Sequence, residues 1–169
     1  KPRLHLPAPT KAATCAVVGC DPRAEQYEPF LQRLPPAHVR QLAALEVWDR
    51  TGGRSFYRER RIVVPASGRP ERLFSVTAHE LAHVVLANPD SPVMTAFAER
   101  FWPNGQPTAG LSRHARKTYE DNDAWRTGLL PEDTNPFHAA SEDLADTYRA
   151  HFTGDDVDSE RLAWLRTHV

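Results

Sequence analysis

The run His79-Glu80-Leu81-Ala82-His83 constrains this chain more than any other feature, because it asks for a helix with two imidazoles on one face. Side chains four positions apart stand one above the other on an α-helix, since 3.6 residues make a turn. The flanking residues agree with that helix. Leu73, Phe74, Val76, Leu81, Val84, Val85 and Leu86 give residues 73–87 an apolar cover, and Asn88-Pro89 closes the segment. Both rings can then grip one Zn²⁺ at about 2.0–2.1 Å. Glu80 lies off the pair but within reach of a water on the ion, as a general base. A chain with eight His can produce the pattern by chance. Against chance, a His–His–Glu cluster on a half-buried helix with no ion to bind would leave polar groups in need of partners.

Zinc hydrolases of this kind use three protein ligands and leave the fourth position open. One known extension needs Gly three residues after the second His and another His three further on. Leu86 and Pro89 occupy those positions, so that class is excluded. The remaining option is a carboxylate from later in the chain, among Glu99, Glu120, Glu132, Glu142 and Glu160. Only Glu142 opens a strongly patterned helical segment, residues 141–152. Its apolar stripe is Leu144, Tyr148 and Phe152, which leaves Glu142 and Asp146 together on another face. One of them can ligate the metal while the other orients a ligand imidazole from outside. Taken alone, the same face reads equally well as solvated acid near a helix N-terminus. Paired with the His79–His83 run, the ligand reading is preferred.

The two helical motifs resemble a known group. Glu142-Asp143-Leu144-Ala145-Asp146 is similar to the glutamate helix of the gluzincin metallopeptidases related to the anthrax lethal factor catalytic domain and the Pro-Pro endopeptidases. Residues 42–48, Gly52-Gly53, Phe56-Tyr57 and 61–65 resemble the short strands that lead into the active-site helix of that family. The resemblance covers roughly residues 38–152. It implies His79, His83 and Glu142 as zinc ligands, Glu80 as base and Asp146 as the outer carboxylate. It also implies that 61–65 is the sheet-edge strand on which an extended peptide pairs. The chain departs from the family where relatives carry a tyrosine seven residues before the glutamate ligand, for here the residue is Asn135. With Asn135 as a helix cap and Pro136 at the first position, His138, Glu142 and Asp146 share a face. His138 is then the expected donor to the oxyanion, or an additional metal ligand. Tyr119 and Tyr148 are weaker substitutes, the first in a charged, exposed stretch and the second on the apolar stripe.

At 169 residues the chain is expected to be one domain, with a proline-rich arm over residues 1–23. The net charge of −1 gives no electrostatic case for nucleic acid or an anionic membrane surface. No segment approaches the roughly 20 apolar residues that span a bilayer. Cys15 and Cys20 are the only cysteines, and an even pair in this setting is expected to form a small disulfide loop in a secreted protein. A start at Lys1 without a signal-like apolar stretch is read as a mature or trimmed chain.

Patterning gives helical or helix-then-strand segments at 24–34 and 37–47, broken at Pro35-Pro36, and short strands over 45–65 turning at Thr51-Gly52-Gly53. Helices are expected from Pro92 to Phe101, near 113–128, over 136–153, and from a Ser159 cap with Leu162, Leu165 and Val169 buried. The expected fold is therefore α+β, a small twisted sheet packed on the His79–His83 helix and then a mostly helical half with the glutamate helix. The expected activity is a monomeric zinc endopeptidase acting on extended polypeptide. The alternatives are a weak or inactive module that binds peptide, and a zinc amidase acting on a small amide. Cleavage specificity is not encoded in any motif.

Overall fold

The computed structural model describes residues 22–120 and 138–169. Cys15, Cys20, Asn135 and most of the expected N-terminal arm lie outside the described residues. The architecture is α+β, with seven α-helices and a mixed three-stranded sheet among the described residues. The chain divides into two compact units, Lys1–Val85 and Leu86–Val169.

In the first unit a 3₁₀ turn, Pro22–Tyr27, leads into helix α1, Glu28–Gln32, and then α2, Pro36–Val39. The Pro35-Pro36 pair does more than break a helix. Pro36 opens α2 at the position where the missing N–H costs nothing. Strands β1, Ala44–Trp48, β2, Arg54–Phe56, and β3, Arg61–Pro65, follow. Their order across the sheet is β1-β3-β2, with β3 parallel to β1 and antiparallel to β2. This corrects one expectation. Arg61–Pro65 is the central strand, paired with β1 along its length and with β2 over residues 61–63. Ile62, Val63 and Val64 are fully buried, which is why the run is continuously apolar rather than alternating.

Helix α3, Pro70–Val85, carries His79, Glu80 and His83 and lies against β3 and β2. Leu73, Phe74, Ala78, Leu81 and Ala82 are its core residues. The buried Thr77 hydroxyl donates back to the Leu73 carbonyl at 2.7 Å, so it brings no unsatisfied group into that core. Tyr27 is fully buried and donates its hydroxyl to the Pro65 carbonyl, tying the N-terminal turn to the end of β3.

The second unit is helical. Helix α4, Pro92–Phe101, is capped by Ser91, whose Oγ accepts from the Met94 N–H, with Pro92 at its first position. A turn at Pro103–Gly105 precedes α5, Arg113–Glu120. Helix α6, His138–Thr153, is buried on nearly every side, and α7, Ser159–Arg166, ends the chain. The cap of α7 is Asp158 rather than Ser159, since the Asp158 carboxylate accepts from the Arg161 N–H at 3.0 Å. The burial on α7 also differs from the apolar pattern. Leu165 is buried, but Val169 is exposed and the fully enclosed residue is Arg161. Its guanidinium bonds to Asp143 Oδ2 at 2.9 Å and to the Ala109 carbonyl at 2.6 Å. Trp102 donates to the same Asp143 oxygen at 2.9 Å. A buried charge is tolerable when it is paired and hydrogen-bonded, and this one ties α6, α7 and the 106–112 loop together. No helix among the described residues is long and apolar enough to cross a membrane.

Candidate metal centre

On α3 the spacing of four residues does what helix geometry requires. His79 Nε2 and His83 Nε2 lie 3.1 Å apart, with ring planes inclined at 74°. Two ligands of a tetrahedral ion at about 2.0–2.1 Å stand roughly 3.3 Å from each other, so the pair is set for a shared cation. His79 and Glu80 are both buried. Glu80 occupies a slot left by a glycine. A Cβ built on Gly53 would fall 2.5 Å from Glu80 Oε1 and 2.7 Å from Val76 Cγ1. Gly53 has no left-handed backbone, so space alone accounts for it. At neighbouring Gly52 a Cβ would meet nothing within 4 Å.

In the second unit α6 presents Glu142 and Asp146 one turn apart, as their spacing predicts. Their surroundings differ. The Asp146 side chain is 1% exposed, and its Oδ2 accepts from the Ser112 hydroxyl at 2.6 Å. Arg149 stands 3.5 Å from Oδ1. Glu142 is more open, at 14%. Ser112 is also the cap of α5, accepting the Ala115 N–H at 3.0 Å. The start of α5 is thereby fastened to α6, and this brings in a residue that sequence reasoning missed. His114 Nε2 is 3.6 Å from Glu142 Oε2, and its Nδ1 is 3.8 Å from Asp146 Oδ1. Nothing in the sequence of α5 announces this. The only local signal is the Ser112 cap, which fixes where the helix starts but not what it touches.

Among the described residues, two sets of side chains could hold a metal ion: His79, His83 and Glu142, and His79, His114 and Asp146. The first contains the three ligands expected from the motifs. His138, the expected oxyanion donor, is the first residue of α6 and half-buried, one turn ahead of Glu142. Tyr148 is fully buried, and burial pushes its phenol far above the ordinary range, so it belongs to the core. Tyr119 is half-buried rather than exposed, bonded to Gln106 and edge-on to Trp102. Asp143, beside Glu142, is no part of either set. Burial raises its pKa, against the opposing pull of Arg161 and Trp102.

No protein family, curated protein or solved structure matches the chain.

Proposed function

We propose that the protein is a zinc-dependent endopeptidase in which His79, His83 and Glu142 hold the ion and Glu80 is the general base. The observation that carries this reading is the donor set itself, two imidazoles and a carboxylate with a buried glutamate adjacent in sequence. That set suits zinc and has the composition of catalytic sites that keep one position open. The similarity of both motifs to the gluzincins supports the same assignment. Zinc, when bound, lowers the pKa of water and polarises a carbonyl.

The rest is done by the chain. Glu80 accepts a proton from the attacking water and later delivers it to the leaving amine. The slot at Gly53 holds its carboxylate in one place for both transfers. Asp146 is the outer carboxylate, itself fixed by the Ser112 hydroxyl. His138 is positioned on α6 as a donor to the oxygen that becomes negative. An extended polypeptide is the substrate class. Because β3 is central, the strand that offers an edge beside Glu80 is β2, which begins just after Gly53.

A peptide-binding module without turnover would have no use for a buried carboxylate kept in a glycine slot, which favours the enzyme. An amidase for small amides shares the metal set and is separated by the same experiment. That experiment is cleavage profiling on a peptide library, with and without chelator. Glu80→Gln is expected to keep zinc and fold while hydrolysis falls at least about 10²-fold. Unchanged turnover in that variant would make Glu80 structural and the mechanism wrong.

A further inference from the structure

Residues 54–61 hold four arginines against one glutamate, and that glutamate is already engaged. Arg61 donates to Glu59 Oε2 from Nε at 3.0 Å and from Nη2 at 2.6 Å, and to Glu46 Oε2 at 3.2 Å. Arg54, Arg58 and Arg60 are exposed, and among the described residues no carboxylate pairs with any of them. Antiparallel partners share a sheet face, so Arg54 and Phe56 of β2 stand with Val63 and Arg61 of β3, opposite Ser55. The guanidiniums of Arg54 and Arg61 lie 4.9 and 3.9 Å from the centre of the Phe56 ring. Arg58 donates to the Tyr57 hydroxyl at 3.0 Å. Arg60 is left-handed, at φ 52° and ψ 43°, with its N–H donating to the Tyr57 carbonyl and its C=O accepting from Ala43. Glycine would make the same backbone bonds without steric strain, so the turn itself gives no reason for an arginine.

We propose that the outer edge of β2 takes an extended acidic polypeptide, whose Asp and Glu side chains pair with Arg54, Arg58 and Arg60. This deepens the function proposed above. It rests on β2 as the docking edge and names the composition of the substrate. β2 is the last strand of the sheet and pairs only with β3 among the described residues, so its outer edge can accept a further strand. An added strand alternates its side chains, and every second one falls on the face that carries Arg54 and Phe56. Carboxylates at alternate positions then meet Arg54, and Arg58 and Arg60 carry the positive charge past the end of β2. Guanidinium suits that partner, because its fork of donors matches a carboxylate. Nucleic acid fits less well. Its single strands need ring faces on which bases stack, and the Phe56 ring already has guanidiniums over it.

The test reads binding apart from cleavage. Zinc-loaded Glu80→Gln protein is titrated, by fluorescence anisotropy, with a labelled peptide carrying Glu at alternate positions and with the same peptide carrying Gln there. The Glu peptide is expected to bind at least about tenfold more tightly. Replacing Arg54, Arg58 and Arg60 together by Gln should abolish that preference, each arginine contributing about two- to fivefold, as exposed ion pairs do. The single variants carry the test should the triple one unfold. Arg166→Gln, which removes an exposed charge from α7, should leave the preference intact. N-methylation of alternate peptide amides should weaken the Glu peptide, because strand addition needs those N–H groups. Equal affinity for the Glu and Gln peptides, a preference that survives loss of the arginines, or indifference to N-methylation would each overturn the proposal. So would tighter binding of single-stranded DNA of equal charge, which would make this a phosphate-backbone site. Wild type that binds through the arginines but cleaves no peptide would end the endopeptidase reading and leave the acidic-peptide surface standing. Cleavage indifferent to acidic residues would do the reverse.

Discussion

Glu142 and Asp146 carry the same chemical group on the same face of α6 in different environments, and the proposed site gives them different work. Asp146 is enclosed and committed to Ser112, whereas Glu142 keeps more of its carboxylate accessible. Glu142→Ala is therefore expected to weaken zinc binding strongly, and Asp146→Ala only about 10–100-fold, the usual effect of an outer carboxylate. Competition titration against a chromophoric chelator measures both. A larger loss for Asp146→Ala would mean that the ion prefers the set containing His114. Tyr27 makes a separate prediction at this scale. Burial pushes its phenol up to about 12, against about 10 for an unfolded tyrosine. The folded state therefore holds a proton that the unfolded chain gives up. Stability from this group is intact below pH 10 and is lost as pH rises toward 12, by on the order of 2–3 kcal/mol. Urea unfolding of wild type and Tyr27→Phe across that window should show a steeper decline for wild type. Parallel curves would show that Tyr27 ionises as easily folded as unfolded.

At the scale of elements, the approach of β2 to α3 is governed by one missing methyl. Gly53→Ala would place a Cβ against the Glu80 side chain and Val76, while Gly52→Ala enters open space with no backbone conflict. The first is expected to cost about 1–3 kcal/mol by overpacking. It should also reduce hydrolysis by up to about 10²-fold through displacement of the base. The second should change neither. Equal behaviour of the two variants in denaturation and turnover would remove Gly53 from any role in placing Glu80. These elements differ in how readily the sequence reveals them. Helix α4 was legible because Ser91-Pro92 is start chemistry contained in adjacent residues. The central place of β3 was also written in Ile62-Val63-Val64, a run buried on both faces, but the family resemblance pointed to an edge. The cap of α7 was missed by one position because Asp158 and Ser159 are both good caps. The burial of Arg161 could not be read from the sequence because its partners, Asp143 and Ala109, are distant along the chain. His114 was illegible for the same reason, since only packing brings α5 onto α6.

For the molecule as a whole, the consequence of the proposed site is thermodynamic. Each unit has its own core, one around β3 and α3 and the other around α6. An ion that His79, His83 and Glu142 ligate binds the folded chain and not the unfolded one, so its binding free energy adds to stability. At free zinc about a hundred times the dissociation constant this is about 2.7 kcal/mol, which for a chain of this length raises Tm by roughly 5–10 °C. Calorimetry of the metal-free and zinc-loaded protein should show that rise, and an excess of chelator should reverse it. The informative comparison is between loss of an imidazole and loss of the carboxylate. His83→Ala and Glu142→Ala should each remove most of the zinc-dependent rise while leaving the metal-free Tm close to that of the wild type, because neither side chain fills a hydrophobic core. If the rise survives Glu142→Ala undiminished but disappears in His83→Ala, the ion is held without Glu142, and the three-ligand assignment fails. If it survives both, the stabilising zinc is bound somewhere else altogether.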